Sequence, residues 1–337
     1  MATMELAIEL GTSNTAIFLE GTGLVLYEPS VVALSQNAKK EKIRAFGLQA
    51  IKMMSEDQDS TVLVSPVDSG LLLDLDTCTY MLKEHLKRLI SKKAIFNPKF
   101  RTILNVPLGL SDKERTSFES VCFRSGISDL ILVDSILSSA VGMDLPVSSG
   151  GYFCVVNIGG GRTDIAVISN CRVVEGCSIN MGGNLMDVAI ADCIAETFGV
   201  SISRPVAIKT KQSIASLYSN DTLEAQVTGS SVVDKKTSSI VVQSADIYST
   251  ILPYYEKISD GIKSVLGNCP AQVVQDIQTK GIYLCGGSSQ VPGLDLLYKD
   301  LLSANVWLVE NPIYTAIVGA GKLLHYKELL LDIMQKS

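Results

Sequence analysis

Histidine is almost absent from this chain, with only His85 and His325 among 337 residues. A Ser-His-Asp relay or a histidine-built metal centre therefore has little material to use. The eight cysteines, at positions 78, 122, 154, 171, 177, 193, 269 and 285, form no CxxC pair and mostly lie in apolar runs. That pattern argues against a zinc site or a disulfide framework and for buried thiols in a reducing compartment. A basic excess is missing too. With 29 lysines and arginines against 35 acids the net charge is −6, which disfavours a general nucleic-acid binder. No run of eighteen apolar residues occurs and no basic-then-apolar leader precedes Met4, so a cytoplasmic chain that does not span a membrane is expected. His85 stands among Lys83, Glu84 and Lys87 on a helical stretch, where a solvated histidine is expected.

What the chain does have is 47% apolar content, enough for two cores at this length, and a glycine hairpin written twice. The first copy is Glu9-Leu10-Gly11-Thr12-Ser13-Asn14-Thr15. The second, 148 positions later, is Asn157-Ile158-Gly159-Gly160-Gly161-Arg162-Thr163-Asp164. Each joins two strand-like apolar runs through a turn rich in glycine and hydroxyls. Such a turn aims several backbone N–H groups at one place, where an anion can sit. Two of them facing each other could clamp a chain of phosphates.

Around the first hairpin the pattern predicts an extended run from Leu24 to Leu34, a polar excursion through Gln36 to Arg44, and a helix from Asp76 to about Lys93. In that helix Leu82, Leu86, Leu89 and Ile90 recur at helical spacing. Ile103 to Val106 reads as a buried strand ended by Pro107, Ser111 to Glu114 as a capping box, Gly126 as the stop of the helix that follows, and Leu130 to Val133 as another buried strand. The second half repeats the scheme. The hairpin Phe153 to Ile168 is followed by a helix that Gly182-Gly183 opens and Gly199 stops, and then by a polar, strand-poor insertion from Ser201 to Ser244. A long helix from Ala245 to Leu266 and a strand from Gly281 to Cys285 lead to the turn Gly286-Gly287-Ser288-Ser289. The helix Leu294 to Leu302, the strand Val306 to Val309 and the helix Tyr314 to Leu331 complete the chain. Alternating strands and helices predict mostly parallel sheets covered on both faces. Two α/β domains are expected, residues 1–146 with a small insertion at about 34–70 and residues 147–337 with an insertion at about 201–244. Two matched halves imply a ligand cleft between them.

Three glycine turns, together with the stretches that link them, resemble the actin, sugar-kinase and heat-shock chaperone superfamily, and within it the MreB family of bacterial actins that shape rod cells. The stretches that carry the resemblance run in order from Glu9 to Thr15, Tyr27 to Ala33, Gly70 to Asp76, Val106-Pro107 and Gly142 to Val147. They continue through Asn157 to Asp164, Met181 to Asp187, Leu284 to Ser289 and Asn311 to Gly321. The resemblance implies an actin-like α/β fold of two similar domains, each with a central mixed sheet flanked by helices, and ATP or ADP with Mg2+ in the cleft. Gly11, Thr12, Ser13 and Asn14 would lie below the phosphates and Gly159, Gly160 and Gly161 opposite. Gly286, Gly287, Ser288 and Ser289 would approach the sugar and α-phosphate, where a Cβ obstructs close contact. Lys209 and Lys211 fall where the family places a lysine beside the adenine; they also read as two solvated lysines of a polar insertion.

The pattern is broken at three positions. Family members carry aspartate at both hairpins and hold magnesium through waters. Here Glu9 keeps the charge but displaces it by about one methylene, and Asn157 offers an acceptor without charge, so magnesium is expected to be held less well. The glutamate that the family uses for hydrolysis aligns with Ser135, beside Asp134. A serine without a nearby base is a poor proton acceptor for the attacking water. Asp134 is the available substitute, although a one-residue shift at a strand end turns a side chain to the other face. Nucleotide binding with slow or absent hydrolysis is expected, and complete loss of nucleotide binding is the alternative.

Between the helix beginning at Asp76 and the strand at Ile103 lies Lys92-Lys93-Ala94-Ile95-Phe96-Asn97-Pro98-Lys99-Phe100-Arg101. Ile95 and Phe96 at a loop tip either pack inward or meet something apolar, and the flanking cations favour an anionic lipid surface. MreB-like proteins are similar in inserting a hydrophobic pair at this loop. The expectation is thus an MreB-like filament protein, cytoplasmic and peripheral at the inner face of the cell membrane. Its partners would be itself, a sister MreB and cell-shape membrane proteins, with no nucleic acid. The other readings are a non-filamentous chaperone-like or adaptor ATPase, and a small-molecule phosphotransferase of the same superfamily.

Overall fold

The apolar run ending at Leu10 becomes the middle strand of a five-stranded sheet, and the run ending at Ile158 becomes the middle strand of another. The computed structural model describes residues 3–35, 43–57, 60–90 and 98–336. The first half contains β1 (Thr3–Leu10), β2 (Asn14–Leu19), β3 (Gly23–Pro29), β4 (Val32–Ser35), β5 (Ile43–Phe46), α1 (Leu48–Glu56), β6 (Thr61–Val64), β7 (Val67–Asp68) and β8 (Leu71–Leu72). It continues with α2 (Leu75–Leu89), β9 (Lys99–Val106), α3 (Asp112–Arg124), β10 (Ile127–Asp134) and α4 (Ser135–Gly142). Then come β11 (Phe153–Ile158), β12 (Thr163–Ser169), β13 (Arg172–Ile179), α5 (Gly183–Phe198), β14 (Val200–Ser201), α6 (Arg204–Ile214), β15 (Glu224–Ser231), β16 (Thr237–Gln243) and α7 (Ser244–Gly267). The last elements are α8 (Ala271–Lys280), β17 (Ile282–Cys285), a 3-10 turn (Gly287–Gln290), α9 (Leu294–Leu302), β18 (Val306–Leu308), α10 (Thr315–His325) and α11 (Lys327–Lys336).

The first large sheet has the order β10-β9-β1-β2-β3 and the second β18-β17-β11-β12-β13. The two orders correspond strand for strand, so the repeat seen in the hairpins extends to the sheets that carry them. β1 pairs in parallel with β9 and antiparallel with β2, which makes the first sheet mixed. Leu6, Ile8 and Ile17 on its strands are fully buried with Leu82, Leu104 and Phe118. Each such side chain contributes about 1.5–3 kcal/mol on leaving water. In the second sheet Val156, Ile158, Ile165 and Val167 pack with Ile190, Ile258 and Ile262 of α5 and α7.

The chain divides into two compact units. One comprises Met1–Gly151, Ile168–Val174 and Ile313–Ser337, the other Tyr152–Val167 and Glu175–Pro312. The sequence reading gave everything after residue 147 to the second half. The tail instead belongs with the first unit because α10 packs on α4 at backbone distance. A Cβ at Gly319 would lie 1.7 Å from the Ser138 carbonyl oxygen, and one at Gly142 would lie 2.1 Å from that of Thr315.

Four local expectations are corrected. The insertion expected to be strand-poor holds a three-stranded sheet, β14-β15-β16. Its strands are dominated by serine, threonine and glutamine, and the buried side is marked mainly by Val227 and Val242. The run Leu24 to Leu34 is two strands in different sheets, parted at Ser30, whose N–H bonds to the Ser13 carbonyl at 2.9 Å. The helix expected from Tyr314 to Leu331 is two helices, broken at Tyr326 (φ −90°, ψ 71°). An unbroken stripe through Leu324 would bury Leu331, two turns on; the break exposes Leu331 and buries Leu330 and Ile333 instead.

His85 is the fourth correction. It is fully buried, and neither ring nitrogen has a hydrogen-bond partner among the described residues. Its ring meets the Phe46 ring edge-on at 5.0 Å, and the Arg88 guanidinium stacks 4.4 Å from the centre of the same Phe46 ring. Charged neighbours at Lys83, Glu84 and Lys87 occupy the other helical face, so adjacency in sequence misled. Among the described residues no helix is long and apolar enough to cross a membrane. Ile95 and Phe96 lie outside the described residues.

Burial pushes the His85 pKa from 6.5 down to about 4, against the pull of Glu28 and with the push of Arg88. The unfolded chain therefore takes up this proton first as pH falls, so stability is full above pH 6.5 and is lost between pH 6.5 and 4. The loss amounts to about 3 kcal/mol at about 1.4 kcal/mol per pH unit. Urea unfolding of wild type and His85→Leu across this window should show a pH slope that is shallower in the variant by that amount; parallel slopes would refute the assignment.

Candidate functional site

Each hairpin closes through the same backbone bond. Gly11 N–H donates to the Asn14 carbonyl at 3.0 Å, and Gly159 N–H donates to the Arg162 carbonyl at 2.9 Å. The threonine that follows is buried in both copies and tied to the next segment of chain. Thr15 Oγ1 lies 2.9 Å from Ser30 Oγ, and Thr163 Oγ1 donates to the Met181 carbonyl at 2.7 Å. In the first unit Thr12 Oγ1 accepts from Gly70 N–H at 2.9 Å, which draws the loop before α2 onto the turn. In the second, Gly183 and Asn184 at the start of α5 donate their N–H groups to the Gly159 and Gly160 carbonyls at 3.0 and 2.7 Å. Carbonyls of the second turn are thus taken up by a helix N-terminus, a place where backbone N–H groups otherwise lack partners.

The third glycine turn, Gly286 to Ser289, packs directly on the second hairpin. Gly286 has φ 85°, which only glycine adopts readily. A Cβ there would lie 2.4 Å from both Asn157 Oδ1 and the Ile158 carbonyl. Ser288 Oγ donates to the Gly159 carbonyl at 3.0 Å, and Ser289 Oγ donates to the Gly286 carbonyl at 2.7 Å. Tyr255, fully buried on α7, donates to the Ser288 carbonyl at 2.7 Å, and Tyr298 on α9 donates to the Tyr255 carbonyl at 3.1 Å.

Lys211 is no solvated lysine. Its Nζ lies 2.5 Å from Asp187 Oδ1 and donates to the Gly183 carbonyl at 2.8 Å, so it fastens α6 to the N-terminal turn of α5. Lys209, two residues earlier, is exposed. Arg162 and Asp164 form a second close pair at 3.0 Å, and Ser178 Oγ also donates to Asp164.

In the first unit Glu9, one residue before the end of β1, lies opposite Ala16 and Asn105. Burial, then the Glu9 carboxylate, then Tyr314 push the Tyr27 phenol up to about 12, which keeps it protonated. Asn105 is buried; its amide donates to the Ala316 carbonyl at 3.0 Å and accepts from Ser138 Oγ at 2.7 Å. Ser135 opens α4 with its side chain buried and its carbonyl accepting from Ser139 Oγ at 2.8 Å. Asp134, the residue before the helix, pairs with Arg115 Nη2 of α3 at 3.4 Å.

Two groupings follow from the geometry. Asn157, Gly159, Gly160, Gly161, Gly286, Gly287, Ser288, Ser289 and Lys211 belong to one contiguous arrangement in the second unit. Glu9, Gly11, Thr12, Ser13 and Asn14 form the turn of the first, and Asp134 and Ser135 mark its β10–α4 junction. Sequence reading missed Asp187, Tyr255, Tyr298 and the Arg162–Asp164 pair. Arg162, Asp164 and Asp187 fell within motifs already singled out. The tyrosines sit at ordinary core spacing in helices, where nothing distinguishes a buried hydroxyl with a partner from plain packing.

The two repeated sheets, each carrying a glycine hairpin between its first two strands, define the actin-like α/β fold. Structures of that fold superpose on nearly the whole chain. MreB5 of Spiroplasma citri bound to ADP does so with a TM-score of 0.89 at 25% identity over 97% of both chains. A MamK double helical filament gives 0.81 at 18% identity over 96% of this chain and 99% of that one. The family model MreB/Mbl protein matches residues 3–331. The cell shape-determining protein MreB of Escherichia coli (strain K12) is 30% identical over 96% of this chain and 94% of its own length. The cell shape-determining protein Mbl of Bacillus subtilis (strain 168) is 30% identical over 96% of each. The chain belongs to the MreB/Mbl family.

Because Asp187 is 3% exposed and Lys211 14% on their side chains, removing one partner strands a charge in the interior. Lys211→Met should lower unfolding free energy by about 3 kcal/mol in urea denaturation, and Lys211→Met combined with Asp187→Leu should recover most of it. Equal losses for the single and double variants would refute the pair's role.

Proposed function

We propose that this protein is an MreB-like actin homologue that binds ATP or ADP through its glycine turns and assembles with copies of itself into cell-shape filaments. The observation that carries the reading is the identical Gly11–Asn14 and Gly159–Arg162 closure at corresponding positions of two repeated sheets. A turn of this kind presents backbone N–H groups to an anion without spending side-chain freedom. Family membership supports the same ligand, and the Spiroplasma citri relative was solved with ADP. Glycine at 286 also lets the third turn pack directly on the second hairpin, where a Cβ would collide with Asn157 and Ile158.

Magnesium fits less fully. Among the described residues no three His, Cys, Asp or Glu side chains come together, so a magnesium ion would depend on phosphate and water oxygens, with Glu9 as the charged residue at the turn. Hydrolysis is slow or absent on this reading. Ser135 offers no base, and the Asp134 carboxylate is engaged by Arg115. Self-assembly, a sister MreB as copolymer partner, and attachment at the inner membrane face through Ile95 and Phe96 complete the proposal.

Titration calorimetry with ADP should show binding by wild type and at least about tenfold weaker binding by Gly286→Ala, in which Ala must occupy a left-handed conformation costing about 1–2 kcal/mol as well as the contacts above. With magnesium and ATP, phosphate release should stay near the protein-free rate while nucleotide-dependent pelleting proceeds. Fast release that changing Asp134 or Glu9 abolishes would overturn the slow-hydrolysis part. Replacing Ile95 and Phe96 by serine should reduce co-sedimentation with anionic liposomes several-fold; unchanged sedimentation would remove the membrane part.

A further inference from the structure

We infer that Tyr255 is a positioning residue of the nucleotide site, holding the third glycine turn against the second hairpin through Ser288; this rests on the phosphate-turn reading above. Tyr255 lies on α7 and is fully buried. Its hydroxyl donates to the Ser288 carbonyl at 2.7 Å, and Ser288 Oγ in turn donates to the Gly159 carbonyl at 3.0 Å. One serine thus joins the helix behind the site to the hairpin in front of it. Burial, reinforced by Asp187, keeps the phenol protonated well beyond neutral pH, so it remains a donor.

The placement is demanding. Gly286, the residue that opens the turn, is held in a left-handed conformation against Asn157 and Ile158, and Gly183 leaves no room beside Ser288, since a Cβ there would lie 2.5 Å from Ser288 Oγ. A turn under those constraints keeps its shape only if its own carbonyls are fixed from behind. The Tyr255 hydroxyl fixes the Ser288 carbonyl, and the Ser289 hydroxyl fixes that of Gly286. Removing the tyrosine hydroxyl leaves the ring packing intact but leaves a buried carbonyl short of a donor, and the turn shifts to satisfy it. A shift of a few tenths of an ångström is enough to weaken contacts made by backbone, which cannot adjust by rotamer.

The test compares Tyr255→Phe with Tyr298→Phe. Both delete one buried hydroxyl on the same helix pair, but the Tyr298 hydroxyl bonds the helix carbonyl of Tyr255 and not a carbonyl of the turn. ADP affinity is measured by calorimetry and stability by urea unfolding without nucleotide. Tyr255→Phe should weaken ADP binding about five- to tenfold, the worth of one hydrogen bond. Tyr298→Phe should stay within about twofold of wild type despite a similar loss of stability. Ser288→Ala, which keeps the carbonyl that Tyr255 holds but deletes the Oγ bond to the Gly159 carbonyl, should weaken binding to a similar degree, and the double variant should be no worse than either single one, because the two bonds act in series through Ser288. If wild type binds ADP and the two tyrosine variants lose affinity equally, or neither does, the positioning role is overturned while the nucleotide reading stands. If wild type binds no ADP, the nucleotide reading fails and this role with it.

Discussion

One backbone hydrogen bond, made twice, is the constraint on which the rest depends. In each half the glycine at the end of the middle strand donates to the carbonyl three residues on, at 3.0 and 2.9 Å. The bond makes the chain reverse within a fixed number of residues, so β1 leaves the turn in register with β2, with Leu10 opposite Thr15. A change in turn length would slip that register and send buried residues such as Ile8 and Ile17 to the wrong face. The same bond therefore fixes both the core and the direction in which the turn presents its N–H groups. Side chains around the turns differ, as Glu9 and Asn157 or Asn14 and Arg162 do, without disturbing the closure, because the closure is backbone.

Several polar groups buried near these turns are tied to a second segment of chain. Thr15 meets Ser30, Thr163 meets Met181, Ser288 meets Gly159, and Lys211 meets both Gly183 and Asp187. Each bond adds about 1 kcal/mol net, but leaving one unmade costs more than making it gains. Such groups therefore specify position more than they add stability. His85 differs, buried with no hydrogen-bond partner for either nitrogen among the described residues. It sits where Phe46 of the small sheet meets α2, and aromatic contact there replaces hydrogen bonding.

The sequence made the two hairpins, the capping box at Ser111, the helix stopped by Gly199 and the repeated architecture legible, because each rests on local chemistry within a few residues. What it hid depends on contacts distant in the chain. The strands β15 and β16 carry few apolar residues because much of their surface faces solvent, and alternation is faint when one side holds serine and threonine. The break at Tyr326 has no glycine or proline to announce it, and only the shifted burial of Leu330 and Ile333 records it. Lys211 stands in a polar insertion, and its partner Asp187 is 24 residues away on another helix. Charge on neighbouring residues made His85 look solvated, although a helix puts adjacent residues on different faces.

The departures at Glu9, Asn157 and Ser135 act on different physical terms, and this decides what each can change. On the reading proposed here, a receptor for phosphate made from backbone N–H groups is indifferent to whether the preceding strand residue is an acid or an amide, so affinity for nucleotide would be largely insulated from Asn157. Asn157 is not idle in any case, since its Oδ1 lies against Gly286 and helps shape the third turn. Charge on a metal ion is a different matter: on the same reading Asn157 brings none, Glu9 brings a negative charge, and Asp164 is paired with Arg162. Proton transfer is more exacting still, because it needs one basic atom in one place. Ser135 supplies none, and Asp134 is held to Arg115 on α3. Binding, metal affinity and hydrolysis thus depend on backbone, net charge and a single base respectively. A chain can lose the last two in turn while the first persists, and on the reading proposed here this chain has moved along that order.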